Sequence, residues 1–533
     1  MRYFADRDRE KREAALIPQS FGKTYEPFGD VTLTPDSVID NAGVSQVSLG
    51  GETLAIEPDL GAWAFLTPGE VDLFSRFSDA RFGAVLATAG AGAERLPDFV
   101  AHLYRRGLVS IDGKRAIDPT IFRDSPNFHE THLVEILLTE KCNLACGYCL
   151  AGANPHMPAM SPETARRVVD LAFGMKEAGG IGFEFSGGEP FLKFPLMREV
   201  VDYIRSHPKR NNRPVYLTVQ TNGTLLNDER VRWLRDNKVQ VGVSLDGQPW
   251  SQNTSRPQVN GGESFSRLIG GIDLLQRYPV PFGALVVLNR SNVASVHALV
   301  DFLLDNGIGS FKLNPVAYLG TARENWNGIG LAPQEVLSYF TALIDLVARK
   351  GYPLVEANVH TMLEFVVSKQ RKTRCMRTHC GAGDTFQAIS AAGDVYPCGR
   401  STQTPALKLG NVMEPALSSL SQPARANPTI AEIRERRPAA LEGCVVCEYR
   451  QFCQAGCSAQ AFERYGTVRH RTPECDFFKT LYPHLMRFLS FDVPAFRNFC
   501  RIGYFGHGAT LVNDDYSTGR NAQTAGPDHV AAA

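Results

Sequence analysis

The sequence of 533 residues has no net charge, because 56 basic residues balance 56 acidic ones. A chain without a basic excess does not offer the surface that nucleic acids require, so no nucleic-acid partner is expected. It also lacks any run of 18 apolar residues, so no membrane span is expected. The charged start, which includes Arg2, Asp6 and Arg7, is not typical of a secretion signal.

Cysteine, in contrast, is abundant, with 12 residues. Cys142, Cys146 and Cys149 follow an apolar run at residues 132–139, and Tyr148 comes just before the last of them. Three thiolates at this spacing can hold three corners of an iron–sulfur cube and leave the fourth iron open. A zinc site completed elsewhere and three unrelated buried thiols are the alternatives, although zinc loops favour CxxC pairs.

A second motif follows about forty residues later. The apolar run at residues 181–185 ends in Ser186, Gly187, Gly188, Glu189 and Pro190. Glycines let the backbone approach a ligand closely, and a glutamate can hold an ammonium group by a charge-assisted hydrogen bond.

Together, the two motifs resemble those of the radical S-adenosylmethionine (SAM) superfamily. In that family a CxxxCxΦC loop holds a 4Fe–4S cluster, SAM chelates the open iron, and reductive cleavage gives a 5′-deoxyadenosyl radical. The GGEP turn contacts the amino group of SAM. The resemblance implies cofactor contacts from Tyr148, Ser186, Gly187, Gly188, Glu189, Asn222, Ser244 and Arg256, of which the last two are candidates for the ribose or carboxylate.

From residue 161 to residue 316, apolar, β-branched runs alternate with amphipathic segments of helical length. The runs lie at residues 215–220, 239–245, 282–288 and 310–316, and the helical segments at 161–177, 196–206, 227–237, 264–277 and 293–306. This alternation predicts an α/β fold with a parallel sheet, and six such units fit a partial (β/α)6 barrel. Polar residues after several strands, at 220–223, 244–247 and 314–315, favour a ligand pocket, although each could be an ordinary turn.

Eight further cysteines lie between residues 375 and 475, and Cys500 is left over. Their spacing resembles the SPASM domain, which holds two auxiliary 4Fe–4S clusters in enzymes that modify peptides and proteins. The resemblance implies one cluster on Cys375, Cys380, Cys398 and Cys457, and another on Cys444, Cys447, Cys453 and Cys475. Structural zinc ribbons are the alternative, but three thiolates plus eight complete one open cluster and two closed ones. Clusters need reduced thiols, so a cytoplasmic location is expected.

The residues before the barrel contain strand-like segments at 44–49, 53–57 and 62–66. A helix should begin at Pro68 with Thr67 as its cap, followed by helices at 83–89 and 95–106 and a wing-like turn at 109–114. This order resembles the leader-peptide-binding fold of the peptide chaperone of pyrroloquinoline quinone biosynthesis, in which a leader adds a strand to the sheet edge. A winged-helix-like spacer without a ligand is the alternative.

The sequence therefore predicts four segments. Residues 1–125 form a winged-helix-like α+β domain for leader recognition, 126–350 the radical SAM barrel and 351–490 the SPASM domain. Residues 491–533 form a C-terminal helix and a Gly-, Asn- and Asp-rich disordered tail.

The expected function is that of a radical SAM/SPASM maturase. It would abstract a hydrogen from a ribosomally made precursor peptide with a leader and install a crosslink or related oxidation, with ferredoxin or flavodoxin as reductant. Glu184 and Asp384 are candidate bases. One alternative is an anaerobic sulfatase maturase, but those enzymes carry an Asp base after the GxxxxC cysteine, where this chain has Gly399. An iron–sulfur electron carrier or scaffold is the alternative of another class.

Overall fold

The computed structural model of the protein describes residues 31–117, 131–176, 178–368, 375 and 379–491. The boundary predicted at residue 125, the tail after residue 491 and Cys500 lie outside these ranges.

The described residues of the N-terminal part, 31–117, form two small antiparallel sheets and three α-helices. One sheet is the meander of β2, β3 and β4, and in the other β1 lies between β5 and β6. Thr67 and Glu70 form a capping box at the start of α1, which packs on β3 and β4. The elements are β1 Val38–Asp40, β2 Ser45–Leu49, β3 Glu52–Glu57, β4 Ala62–Leu66, α1 Pro68–Ser75, β5 Ala80–Arg81, α2 Phe82–Thr88, α3 Leu96–Arg105 and β6 Ser110–Ile111.

Six parallel strands follow, and they lie side by side in the order of the sequence. This arrangement confirms the predicted α/β fold with a parallel barrel sheet. The strands are β7 Thr131–Thr139, β8 Gly180–Gly187, β9 Val215–Thr221, β10 Gln240–Ser244, β11 Phe282–Leu288 and β12 Ser310–Pro315. The helices between them are α4 Pro162–Phe173, α5 Phe194–Ser206, α6 Asp228–Asp236, α7 Pro249–Ser255, α8 Phe265–Arg277 and α9 Val296–Asp305.

Alternation along the strands separates an outer face from an inner one. On β8, Phe183 and Phe185 are fully buried, and the ring of Phe183 packs against Phe173 of α4. Glu184, which lies between the two phenylalanines, therefore points to the inner side of the barrel, as its position in the sequence predicted.

The sheet continues past the barrel at both edges. β13 Val355–Glu356 pairs with β12, and β14 Phe386–Ile389 pairs in parallel with β7. β15 Asp394–Tyr396 and β16 Gly410–Asn411 complete a sheet of ten strands. The cysteine-rich part is thus joined to the barrel by a common sheet.

The remaining helices lie around the barrel mouth and in the cysteine-rich part, where α17 packs on α11 and α12. Within the described ranges, no helix is both long and apolar enough to cross a membrane. These helices are α10 Ala322–Ile329, α11 Pro333–Lys350, α12 Ala357–Ser368, α13 Ser421–Ala426, α14 Pro428–Glu435, α15 Arg450–Cys453, α16 Ser458–Tyr465 and α17 Cys475–Phe491.

Candidate functional site

The three-cysteine loop leaves the carboxyl end of β7 and is held by the segment that follows β12. Thr321 donates its backbone N–H to the Cys149 carbonyl at 3.0 Å and its hydroxyl to the Cys146 carbonyl at 3.3 Å. Asn325 Nδ2 donates to the Gly147 carbonyl at 2.8 Å. The opposite edge of the barrel therefore sets the shape of the loop.

The three thiols of this loop lie close enough to influence one another. Burial raises the pKa of Cys142 and that of Cys146 to about 12, and Cys149 adds to both shifts. Such thiols are protonated at neutral pH, and coordination to a metal is the interaction that would deprotonate them. Arg256 opposes the rise at Cys146, so this thiolate has a cation beside it.

The two glycines of the GGEP turn bring that turn against the chain that leads into the cysteine loop. A Cβ on Gly187 would lie 2.1 Å from the Thr139 carbonyl oxygen, and one on Gly188 would lie 2.1 Å from that of Lys141. Gly187 also has a φ of +125°, which favours glycine. The glycines are therefore needed for close packing against the backbone that leads into the cysteine loop, and the ligand contact expected from the sequence stays a prediction.

Glu189 is fully buried and already accepts three hydrogen bonds from this chain. Its Oε1 accepts from the Phe191 amide at 3.1 Å and the Thr221 hydroxyl at 2.8 Å, and its Oε2 accepts from the Asn222 amide at 2.8 Å. Burial raises its pKa to about 7. The carboxylate thus ties the GGEP turn to the end of β9, and the ammonium contact expected from the sequence stays a prediction.

Two other predicted cofactor residues lie at the carboxyl ends of β9 and β10. Asn222 Nδ2 lies 3.8 Å from the Cys142 sulfur and donates to Asn143 Oδ1 at 3.0 Å, which places it beside the first thiol. Ser244 is half-buried, and its hydroxyl accepts from Gln220 Nε2 at 3.0 Å. Both positions border the space inside the barrel that the cysteine loop closes.

Arg256 and Tyr148 meet at a buried carboxylate, Asp246. The Arg256 guanidinium lies 3.2 Å from Asp246 by its Nε and 3.3 Å by its Nη2, and 5.2 Å from the centre of the Tyr148 ring. The Tyr148 hydroxyl donates to Asp246 Oδ2, and the Val287 amide donates to Oδ1 at 3.1 Å. Burial would lower the pKa of Arg256, but Asp246 and Tyr148 raise it above its usual range. The guanidinium therefore stays charged beside the cysteine loop.

The eight C-terminal thiols fall into two groups. In the first, burial raises the pKa of the Cys398 thiol, and Cys457, Cys380 and Cys375 add to the shift. Cys375 is exposed and the other three are half-buried. Arg400 lies next to this group and supplies a positive charge.

In the second group, burial raises the pKa of the Cys453 thiol, and Cys475, Cys444 and Cys447 add to the shift. These four thiols also line one pocket, together with other residues that include three cations, Arg450, Arg471 and Lys479. The two groups have the same membership as the two ligand sets that the family resemblance implied.

Arg436 ties together the loops that carry the two groups. Its guanidinium is buried and donates to the carbonyls of Ala455, Gly456, Val468 and His470 at distances of 2.7–2.8 Å. The planar guanidinium group of arginine carries five N–H donors, so it can donate hydrogen bonds to several carbonyls at once. The peptide between Cys453 and Cys457 is thereby fixed in position.

The donor sets fit iron–sulfur clusters. In the described part of the chain, no three His, Cys, Asp or Glu side chains are close enough together to hold a single metal ion. The thiols that influence one another's pKa form one set of three and two sets of four, which are the numbers of thiolates that open and closed 4Fe–4S cubes use. The cationic side chains Arg256, Arg400 and Arg471 would offset the negative charge of thiolate-bound clusters.

The two candidate bases have different surroundings. Asp384 receives a hydrogen bond from His379 at 3.1 Å and one from Arg434 at 2.9 Å, and these two residues lower its pKa. A carboxylate held this way is a poor proton acceptor. Glu184 is buried on the inner side of the barrel, where its direct neighbour on β7 is Glu135.

Two residues of this region were not among the predicted site residues. In the sequence, Asp246 is only one of several polar residues that follow a strand, although its place at the carboxyl end of β10 is a usable signal. Glu135 interrupts the otherwise apolar centre of β7, and a charged residue inside a parallel barrel strand is itself unusual.

Comparison with known proteins identifies one domain of the chain. Residues 136–303 match the model of the radical SAM superfamily. This chain carries a radical SAM domain. It is 24% identical over 355 residues to a cysteine-type anaerobic sulfatase-maturating enzyme of Clostridium novyi, which covers 64% of this chain and 92% of the relative.

Two solved structures show a similar radical SAM fold. Native anSMEcpe with bound AdoMet aligns with a TM-score of 0.58 at 21% identity, over 68% of this chain and 99% of that one. SuiB of Streptococcus suis bound to its precursor peptide SuiA aligns with a TM-score of 0.51 at 14% identity, over 83% of this chain and 99% of that one. The prediction of a radical SAM enzyme is confirmed, and with it the use of SAM and a cluster on the barrel.

Proposed function

We propose that this radical SAM enzyme is a maturase that oxidises a ribosomally made peptide, forming a crosslink or a related bond. The observation that carries the proposal is the grouping of eight thiols into two sets of four in the part that extends the barrel sheet. A radical enzyme needs one open cluster to generate the radical. Two further sets of thiols would hold clusters that can accept a second electron from the substrate.

The residues around the barrel mouth would hold and orient the cofactor. SAM on its cluster supplies a 5′-deoxyadenosyl radical when bound. Cys142, Cys146 and Cys149 would hold that cluster, and the GGEP turn keeps the entry to their loop in place. Arg256, held charged by Asp246, offers a fixed cation for a carboxylate or for the cluster itself.

The roles of the C-terminal thiols are part of the proposal. Cys375, Cys380, Cys398 and Cys457 would hold one auxiliary cluster, and the pocket lined by the other four would hold the second. The four residues that line this pocket are Cys444, Cys447, Cys453 and Cys475.

The N-terminal sheet is proposed to bind the leader of the peptide. In the described part of the chain, β2 pairs only with β3, which leaves its outer edge for an added strand. Asp59, just after β3, accepts from Arg450 Nε at 2.8 Å, and its carbonyl accepts from Gln451 Nε2 at 2.6 Å. Both donors lie on α15, which also carries Cys453, so a leader on this sheet would be anchored next to the cysteine-rich part.

A sulfatase-type maturase is the second candidate, because the Clostridium novyi relative carries that name and is matched over 92% of its length. Gly399 after Cys398 weighs against it, since the sulfatase enzymes carry an acidic residue at this place in their motif.

The test uses the full chain, reconstituted with iron and sulfide, and a precursor peptide encoded beside the gene and fully deuterated. We expect deuterium in the released 5′-deoxyadenosine, a peptide product lighter by two hydrogens, and at least tenfold weaker binding of a peptide without its leader. Turnover of a sulfatase-derived cysteine peptide in place of the precursor would favour the second candidate. Equal affinity with and without the leader would contradict the recognition role.

A further inference from the structure

The inner side of the barrel carries two acidic side chains on neighbouring strands. Glu135 of β7 and Glu184 of β8 are direct neighbours in the parallel register. Val134 and Ile136, on either side of Glu135, are fully buried on the outer face. Since adjacent strands lie about 4.8 Å apart, the two glutamates border the same space.

Glu135 differs from every other residue of its strand in exposure. All the other residues of β7 are buried, whereas Glu135 is half-buried. Glu184 has only 7% of its surface exposed. Glu135 is therefore the carboxylate of this pair that a molecule inside the barrel could touch.

The Glu135 carboxylate has one neutral donor and one close backbone neighbour. Ser186, the residue before the GGEP glycines, donates its hydroxyl to Glu135 Oε1 at 2.6 Å. The carboxylate also lies directly against the backbone of Gly399, which lowers its pKa somewhat. Ser186 belongs to the GGEP turn and Gly399 directly follows Cys398, so Glu135 lies between these two regions.

The contact with Gly399 leaves no space for a side chain there. A Cβ on Gly399 would lie 2.2 Å from Glu135 Oε2 and 2.8 Å from the Glu135 carboxyl carbon. The backbone of Gly399 is not in the left-handed region, so conformational strain does not explain a glycine at this position. The Glu135 carboxylate occupies the place that a side chain at residue 399 would take.

We propose that Glu135 is the proton acceptor for the peptide substrate. This rests on the proposed function, in which a substrate X–H group bonds to a carbon. SAM, when bound, would supply the radical that removes a hydrogen atom from that carbon. As the X–C bond forms, Glu135 would take the X–H proton, and an oxidised iron–sulfur cluster would be the one-electron oxidant that takes up the remaining electron.

Other acidic groups fit this role less well. Asp384 is held by His379 and Arg434, whereas Glu135 accepts a hydrogen bond from a neutral hydroxyl. Burial also raises the pKa of Glu135, which makes it a stronger base than an ordinary carboxylate. Its contact with Gly399 places it next to Cys398, one of the thiols proposed to hold an auxiliary cluster.

The first test measures the contact itself and does not depend on turnover. We expect Gly399→Ala to lower the apparent melting temperature of the reconstituted enzyme by at least about 5 °C, because the added Cβ meets the carboxylate. Glu135→Ala combined with Gly399→Ala should recover most of that loss. Gly270→Ala is the matched control, because nothing lies within 4 Å of its Cβ. The contact would be overturned if Gly399→Ala and Gly270→Ala changed the melting temperature equally, or if the double variant recovered none of the loss.

The second test measures product formed per 5′-deoxyadenosine released, with the deuterated precursor. We expect Glu135→Gln to lower this ratio about 100-fold, in the range of general-base effects, and Glu135→Asp to restore part of it. Glu356→Gln is the control, since Glu356 is a buried glutamate of the same sheet that accepts two backbone amides but lies on β13. Its ratio should equal that of the wild type.

The outcomes separate the two proposals. No deuterium transfer by the wild type would overturn the proposed function and the proton-acceptor role with it, while leaving the Gly399 contact measurable. Transfer by the wild type together with an unchanged ratio in Glu135→Gln would overturn the role of Glu135 alone. A loss confined to Glu184→Gln would assign the proton to the neighbouring strand instead.

Discussion

Replacing Asp246 with Asn removes one negative charge from the interior and leaves the positive charge of Arg256 without its partner. The side chain of Asp246 is fully buried, and that of Arg256 is only 7% exposed, so water cannot replace the lost carboxylate. Asparagine has nearly the same shape as aspartate and keeps one side-chain oxygen, so the substitution isolates the effect of the charge.

The expected cost follows from this burial. Breaking a buried ion pair by removing one partner costs about 3–5 kcal/mol. The stacking of Arg256 on Tyr148 at 5.2 Å remains, which favours the lower end, about 3 kcal/mol. In a cooperative unit of roughly 150–250 residues this corresponds to a fall of about 6–12 °C in melting temperature.

The assay is thermal unfolding of the reconstituted enzyme at a fixed scan rate, because unfolding of a cluster protein is not reversible. Asp36→Asn is the control, since Asp36 pairs with Arg81 on the surface, where both side chains are more than half exposed. It should shift the midpoint by no more than about 2 °C. Asp246→Asn combined with Arg256→Met should recover most of the loss. Equal shifts in Asp246→Asn and Asp36→Asn would refute the reasoning.

Two further predictions concern the loops that carry the thiols. Gly188→Ala places a Cβ 2.1 Å from the Lys141 carbonyl oxygen, so we expect this variant to lose about four irons per chain and to lose SAM cleavage. The measurements are the iron content and the 5′-deoxyadenosine released, and Gly270→Ala is the control. Unchanged iron would contradict it. Arg436→Lys leaves buried carbonyls without donors, and each unsatisfied carbonyl costs about 1–3 kcal/mol of stability. We expect this variant to release iron to a chelator at least tenfold faster than the wild type. Arg469→Lys, at an exposed position, should not change the rate.

Much of the barrel could be predicted from the sequence because its strands are apolar runs separated by amphipathic helices. The strand predicted at residues 282–288 has the same bounds in the structure, and the others differ by one or two residues at an end. The short strands β13 to β16 carry too few residues for a pattern, and their pairing with the barrel depends on contacts distant in sequence.

The cysteine spacings and the GGEP turn were visible in the sequence, because most thiols proposed for one cluster lie in a short stretch of the chain. Cys457 is the exception, since it joins Cys375, Cys380 and Cys398 from far along the sequence. The Glu189 network, the Asp246 pair and the Glu135 contact were not predictable in the same way. Glu135 and Gly399 lie on separate segments and meet only because β14 pairs with β7. Such contacts follow from register, which no local pattern specifies.

The central claim is one radical-generating cluster and two auxiliary clusters in a single chain. The most direct measurement is the iron and sulfide content of the anaerobically reconstituted enzyme, followed by dithionite and SAM. We predict about twelve irons and release of 5′-deoxyadenosine from the wild type. A variant with Ala at Cys142, Cys146 and Cys149 should keep about eight irons and release none. Zinc in place of iron, loss of all iron from the variant, or full clusters without SAM cleavage would contradict the account.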